Sequence, residues 1–242
     1  MNIKDNNKIA VITGAGHRLG RYFALSLAKK GYAILLHYNS SQAQAMETAA
    51  EIRSYDTLVY PFKANLMDPS EIFKLWEYVD KLPHVLDLLI NSAAMMRQGD
   101  IRSLPTKEFD DSIGLNLRAP LICSQEAAKR MSMGGLIINI SDIGAGKNWL
   151  SFPIYSISKA ALEVLTTILA KALAPEIRVN AIAPGLVFPP KDERETSWEK
   201  LVNKVPLKRS AFPEEITSLV DYLILNKYIT GQIIEIDGGY SL

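Results

Sequence analysis

The sequence predicts an α/β fold: a doubly wound, mostly parallel sheet of seven strands with helices on both faces. Three observations lead there. Short β-rich runs alternate with helix-like stretches along the whole chain. Several of those runs are almost continuously apolar, as strands covered on both faces must be. The first run leads directly into a glycine turn and an amphipathic stretch, the start of a strand–turn–helix unit.

The strands are expected at KIAVIT, YAILLHY, LVYPFKA, LDLLINS, LIINIS, IRVNAIAP and QIIEID. Between them, RLGRYFALSLAKKG and SSQAQAMETAAEIRS read as helices. In such a sheet, ligands bind beyond the C-terminal strand ends. One segment breaks the rhythm: LVFPPKDERETSWEKLVNKVPLKRSAF, Leu186 to Phe212, is charged, proline-bearing and long. A flap over a ligand crevice and a surface excursion both fit it, since long loops in compact domains often carry function. No boundary divides the chain, so residues 1–242 are expected to form one domain with a substrate-covering segment at about 186–212.

Composition narrows the function classes. The chain has 242 residues, 48% of them hydrophobic, and a formal net charge of +1. That balance gives no argument for nucleic acid or a membrane as partner. The single cysteine, Cys123, rules out an internal disulfide and lies in the apolar context LICSQEAA, as a core thiol would. The N-terminal apolar run is too short for a signal peptide or a span, so the cytoplasm is the expected compartment. Three histidines without close spacing make a metal site improbable, and none is predicted.

The cofactor end is KIAVITGAGHRLGRYFALSLAKKG. Gly14 and Gly16 let the backbone bend and approach a pyrophosphate, and Gly20 allows close packing of helix on sheet. The helix N-terminus offers free N–H groups and partial positive charge to phosphate. Arg18 stands where a further glycine would complete the usual fingerprint, and a guanidinium there can pair with a phosphate. After the next strand, LLHYNSSQ carries no Asp or Glu to hold a ribose 2′-OH. Asn39, Ser40 and Ser41 can donate to a 2′-phosphate instead, which favours NADPH over NADH.

The chemical end is SDIGAGKNWLSFPIYSISK, Ser141 to Lys159. Tyr155 and Lys159 fall one turn apart on one helix face. An ammonium there is expected to lower the phenol's pKa, so that Tyr155 delivers a proton while a nicotinamide delivers hydride.

The whole chain resembles the short-chain dehydrogenase/reductase family. The resemblance rests on TGAGHRLG, NSAA at Asn91 to Ala94, Asn116 in LNLRAP, Tyr155–Lys159 and IRVNAIAPG ending at Gly185, in the family's order and over nearly the full length. It implies a Rossmann-type fold and further roles. Asn65 in KANL matches a position beside the adenine, where an Asp is usual. Asn91 is placed at a strand end facing the cofactor, and Pro184 and Gly185 at the turn flanking the nicotinamide. Leu19, Leu66 and Ala93, which adjoin these motif residues, are assigned to the cofactor site with them. Asn116 matches the asparagine that helps hold the lysine and a water in a proton relay. A homotetramer, or at least a dimer, is also implied, built on the helices around Asn116 to Met131 and Tyr155 to Ala174. Leu162, Leu165 and Leu169 lie there at helical spacing, as a core face would also require.

Asp142 narrows the substrate. Most members of the family carry a serine at that position, whose hydroxyl donates to a carbonyl becoming an oxyanion. An ionised Asp cannot donate and repels that oxyanion. It suits a substrate atom that gains a proton or carries positive charge, such as a ring imine nitrogen. A protonated Asp could itself donate, and an Asp capping the turn in SDIGAG is the plainer alternative. Arg18, Asp142 and the ending YITGQIIEIDGGYSL resemble the pteridine reductases and bacterial dihydromonapterin reductases. That resemblance implies NADPH-dependent reduction of a pterin-like C=N bond, with Asp142, Tyr155, Lys159 and Asn116 as the catalytic set. The subgroup's serine and pterin-stacking aromatic are replaced here by Ala94, Met95 and Met96; Trp149 and Phe152 are the other candidates for a ring contact. A carbonyl or 3-oxoacyl-carrier reductase is the enzyme alternative. A non-catalytic NADP(H)-binding sensor or scaffold is the alternative of another class, and it has no need of a proton relay.

Overall fold

The computed structural model describes residues 7–189 and 195–242. Seven strands form one sheet in the order β3-β2-β1-β4-β5-β6-β7, every pair parallel. They are β1 (Lys8–Thr13), β2 (Ala33–Tyr38), β3 (Val59–Lys63), β4 (Val85–Asn91), β5 (Gly135–Ile140), β6 (Ile177–Pro184) and β7 (Ile233–Ile236). The seven runs read from the sequence are these seven strands. The order reverses between β1 and β4, and a crevice opens at such a switch point beyond the strand ends.

Period-two alternation explains why the strands look apolar throughout. In β1, Ala10 and Ile12 face one core layer while Ile9 and Val11 face the other. The first layer is closed by α1 (Arg18–Lys29), α2 (Gln42–Arg53) and α9 (Pro213–Leu225), through Phe23, Leu27, Ile52, Ile216 and Leu223. The second is closed by α3 (Pro69–Val79), α5 (Ala119–Ala128) and α7 (Pro153–Leu173), through Ile72, Leu75, Trp76, Cys123 and Leu169. Among these, each fully buried Leu, Ile or Phe contributes on the order of 1.5–3 kcal/mol. Cys123 is a free thiol whose pKa burial pushes up to about 12, which makes it core.

The remaining elements are α4 (Thr106–Ile113), a π-helical turn (Gly114–Arg118), α6 (Gly144–Lys147) and α8 (Glu195–Val202). Helix starts follow local chemistry. Asp68 caps α3 by accepting from the Ser70 N–H at 2.8 Å, and Pro69 follows it. The segment expected to cover the site is described at 186–189 and from 195 onward, where it contains α8; residues 190–194 lie outside the described residues. Among the described residues, no helix is long and apolar enough to cross a membrane.

Candidate active site

The glycine turn sits at the C-terminal end of β1, at the switch point. Gly14 has φ +67, and a Cβ built on it would lie 2.9 Å from the Ala93 Cα. Both facts require glycine there. A Cβ on Gly20 would lie 2.1 Å from the Gly14 carbonyl oxygen, so α1 crosses the turn as closely as the sequence predicts. A Cβ on Gly16 would meet Ser41 Oγ at 2.7 Å. That places Ser41 against the turn, at the head of α2, with Asn39 and Ser40 exposed beside it. The α2 N-terminus and these three side chains form one polar rim next to the turn.

Arg18 has a φ of +50, so the place of the missing glycine is left-handed. Its Nη1 and Nη2 donate to the carbonyls of Pro189 and Phe188, each at 3.4 Å, and its guanidinium lies 5.4 Å from the Phe188 ring centroid. Arg18 therefore joins the turn to the chain after β6, at Phe188 and Pro189. Leu19 follows it in α1 and packs against the first core layer.

Two side chains that sequence reasoning missed hold this end in shape. Thr13 Oγ1 accepts from the N–H groups of Ser92 and Ala93 at 2.9 and 3.1 Å, tying β1 to the loop after β4. His37 Nδ1 accepts from the Gly14 N–H at 3.0 Å, and its Nε2 meets the Ala64 carbonyl at 3.0 Å. Burial lowers its pKa to about 4, so the ring is neutral, with the proton on Nε2. The available signal was a histidine and a threonine inside otherwise apolar strand runs.

Three predicted cofactor residues use their side chains locally. Asn91 Nδ2 donates to Asn139 Oδ1 at 2.9 Å and to Ser124 Oγ at 3.3 Å, so its amide points into the sheet and only its backbone lies along the strand end. Asn65 Oδ1 accepts from the Met67 N–H at 3.1 Å, shaping the turn after β3. Leu66 is buried in the second core layer. Pro184 ends β6, and the Gly185 N–H donates to the Ile236 carbonyl at 3.0 Å.

The chemical end lies beside this one, between the end of β5 and the start of α7. The Tyr155 hydroxyl donates to Asp142 Oδ2 at 2.8 Å, and the Gly144 N–H donates to Asp142 Oδ1 at 2.7 Å. Lys159 Nζ donates to the Ile140 carbonyl at 2.6 Å and lies 5.7 Å from the Tyr155 ring centroid. Asn116, in the π-helical turn, holds Met95 by both its N–H and its carbonyl at 2.9 Å and donates to Ser158 Oγ at 3.0 Å. Ser158 in turn donates to the Tyr155 carbonyl at 2.8 Å. Asn116 thus fastens the loop after β4 onto α7, and its side chain reaches the tyrosine's backbone through Ser158.

The electrostatics correct one expectation. The Tyr155 pKa is raised well above the ordinary phenol value, first by burial and then by the charge and hydrogen bond of Asp142. The charge of Arg18 acts in the opposite direction. The expected lowering by Lys159 is therefore not the net outcome: burial, reinforced by the Asp142 carboxylate, sets the direction upward. Burial raises the Asp142 pKa against the opposing pull of Gly144, Tyr155 and Lys159. Burial lowers Lys159 to about 8, opposed by the charges of Asp142 and Glu163.

Of the candidate ring contacts, Trp149 lies nearest the chemistry. Its ring is nearly parallel to Tyr155, with centroids 6.5 Å apart, and a Cβ on Gly144 would strike it at 2.9 Å. Phe152 packs edge-on against Trp149, and Met96 is exposed.

A family model described as enoyl-(acyl carrier protein) reductase matches residues 14–241. The chain belongs to the short-chain dehydrogenase/reductase family. Among its relatives in that family, 3-oxoacyl-[acyl-carrier-protein] reductase FabG of Staphylococcus aureus is 31% identical over 96% of this chain and 97% of its own length. Solved structures of short-chain dehydrogenases/reductases superpose closely. FolM alternative dihydrofolate reductase 1 from Brucella canis, complexed with NADP, has a TM-score of 0.92 at 31% identity, covering 98% of this chain and 94% of that one. A short-chain dehydrogenase from Burkholderia cenocepacia in complex with NADP has a TM-score of 0.91 at 26% identity, covering 98% of each chain. As a member of this family the chain is an oxidoreductase, and its seven-stranded parallel sheet is the family's fold.

Proposed function

We propose that this protein is an NADPH-dependent reductase of a pterin-like C=N substrate. The observation that carries the reading is the 2.8 Å hydrogen bond from the Tyr155 hydroxyl to Asp142, at a position where a hydroxyl donor would serve a ketone. The likeness to a FolM dihydrofolate reductase supports it.

The residues fit the cofactor. The turn at Gly14, Gly16 and Gly20 leaves no room for a Cβ, as close backbone approach to a pyrophosphate requires. Arg18, Asn39, Ser40 and Ser41 supply cationic and hydrogen-bonding groups for phosphate, and no carboxylate stands among them to repel a 2′-phosphate. Ala93, Pro184 and Gly185 border the crevice beyond, with the chain at 186–189 and from 195 to 212 as its cover. When bound, NADPH supplies a hydride.

The chain's own groups manage the proton. Reduction of C=N adds hydride to carbon and a proton to nitrogen. Tyr155 O–H is the donor, and its raised pKa keeps the proton in place until a basic nitrogen takes it. Asp142, whose pKa burial raises, takes up a proton from solvent after the tyrosine has given up its own and passes it to the tyrosine oxygen. An ionised Asp142 beside a developing oxyanion would instead oppose carbonyl reduction. Lys159 keeps positive charge beneath the pair, and Asn116, through Ser158, fixes the helix that carries Tyr155 and Lys159.

A second reading, reduction of a 3-oxoacyl carrier substrate, is favoured by the relation to the Staphylococcus aureus enzyme. Purified protein is assayed for NADPH oxidation with dihydrobiopterin, dihydrofolate and an acetoacetyl thioester. Turnover of a pterin is expected, and turnover of the thioester alone sinks the pterin reading. Asp142→Ser is expected to lower pterin turnover by about 10–100-fold and raise that of the thioester. Tight NADPH binding with no turnover of any of the three would favour the sensor reading or a substrate outside these three.

The same reading includes self-association and a cytoplasmic location, the latter to be checked by fractionation of cells. Leu162 and Leu169 belong to the core, and Leu165 packs against it. The exposed large apolar residues of α7 are Ile157, Val164 and Ile168, at i, i+7 and i+11 on one face. That face suits a second copy of the chain.

A further inference from the structure

Helix α7 carries Tyr155, Lys159 and Glu163 at successive turns, and each is tied to one of three consecutive residues at the end of β5. Tyr155 donates to Asp142 at 2.8 Å, and Lys159 donates to the Ile140 carbonyl at 2.6 Å. Between those two, the Ser141 hydroxyl donates to Glu163 Oε1 at 2.7 Å. Ser141 is buried, and its N–H donates to the Ile182 carbonyl of β6 at 2.7 Å, so the anchor is continuous with the sheet. The proton transfer from Tyr155 leaves Glu163 without a role.

We infer that Glu163 is a positioning residue of the site: through Ser141 it sets the register of α7 on β5, and through its charge it supports the Lys159 ammonium one turn away. The register part follows from the geometry. Asp142 and Ile140 flank Ser141, so a slip at the Ser141–Glu163 contact would move the acceptors of Tyr155 and Lys159 together. The charge part follows from the surroundings of Lys159. Glu163 stands one turn along α7 from Lys159, and the two are anchored to the adjoining residues Ser141 and Ile140, while Tyr155 lies one turn back on the same helix and Asp142 at the end of β5. A wholly buried ammonium needs such compensation, since burial alone favours its neutral form.

Glu163 is itself constrained. Glu235 of β7 faces it with like charge while accepting from Ser241 Oγ at 2.8 Å, and Asp142 adds to that repulsion. Lys159 supplies the opposing positive charge, and Ser141 is its hydrogen-bond donor. A carboxylate held half-buried between two others is retained at a cost that a neutral side chain would avoid, which fits service to its cationic neighbour.

The inference rests on the reductase reading of Tyr155 and Lys159 for its catalytic meaning, while its physical content is testable without turnover. Glu163→Gln keeps an oxygen that can accept from Ser141 and removes the charge. Thermal unfolding of the wild type and Glu163→Gln is followed from about pH 6 to about pH 10, in parent and Lys159→Met backgrounds. The Tm deficit of Glu163→Gln is expected to be largest near neutrality. It should shrink by about half or more as pH rises past the point where Lys159 loses its proton. In Lys159→Met that pH dependence should vanish. A deficit that does not change with pH, or one that changes identically without Lys159, overturns the inference.

Kinetics supply the second readout. With a substrate that the wild type turns over, Glu163→Gln should move the alkaline limb of kcat/KM down by about half to one pH unit. Glu163→Leu, which also frees Ser141, should lower kcat further. An unmoved limb in Glu163→Gln, alongside an inactive Tyr155→Phe, overturns this inference alone. Full activity in Tyr155→Phe overturns the reading beneath it.

Discussion

Arg18→Gly is expected to make the protein more stable and a poorer NADPH binder, and the two effects can be separated. Arg18 is held at φ +50, in the left-handed region that disfavours a Cβ. That conformation costs a non-glycine residue about 1–2 kcal/mol. Glycine removes that cost and returns about 0.4–1 kcal/mol through the greater freedom of the unfolded chain. The interactions that the arginine side chain makes in the folded protein are weak: two carbonyl hydrogen bonds at 3.4 Å from an exposed guanidinium, and an approach to the Phe188 ring at 5.4 Å. The net gain is therefore about 0.5–1 kcal/mol, or about 1–4 °C in Tm for a chain of this size. Arg18→Ala is the control, because it removes the guanidinium and keeps the strain. NADPH titration should show both variants weakened by about 10-fold or more, as loss of a charge-assisted phosphate contact implies. Thermal unfolding should rank Arg18→Gly above the wild type and Arg18→Ala below it. If Arg18→Gly is no more stable than Arg18→Ala, the left-handed backbone is not the source of strain. If both bind NADPH as the wild type does, Arg18 does not meet the phosphates.

Two further predictions concern stability and assembly. His37 has a folded pKa lowered to about 4 from an ordinary value of 6.5, so below that ordinary value the unfolded chain binds the extra proton first. Its stability contribution, about 3 kcal/mol, is complete above the unfolded pKa and is lost as pH falls toward the folded one. Urea midpoints should drop across that window, and His37→Gln should flatten the drop; an equally steep loss in the variant would assign it to other groups. For assembly, light scattering should give a dimer or tetramer mass for the wild type and a smaller mass for Val164→Glu combined with Ile168→Glu. A monomeric wild type would mean that the exposed α7 face has another purpose.

Whatever local chemistry and short spacing dictate was legible in the amino-acid order alone. Apolar runs bounded by turns marked all seven strands, because a parallel strand must be apolar on both faces. Glycines after the first run marked the crowded turn, because nothing larger fits beneath an arriving helix. The four-residue spacing put Tyr155 and Lys159 on one helix face, and residue type alone raised the question of an acid at Asp142. What those groups touch was settled by packing in three dimensions. Tyr155 and Asp142 stand thirteen residues apart in sequence, and their hydrogen bond with its upward pull on the phenol pKa depends on how α7 lies on β5. Asn91 sits at a predicted strand end, yet its amide is turned into the sheet, because Asn139 on the neighbouring strand offers a partner. His37, Thr13 and the Ser141–Glu163 contact pair residues that lie 22 to 80 positions apart. Their partners are assigned by strand order and helix packing, which composition and spacing do not encode. The same limit applies to Arg18: the sequence offered its guanidinium as a candidate for phosphate, while the left-handed backbone beneath it became visible only when the turn was built.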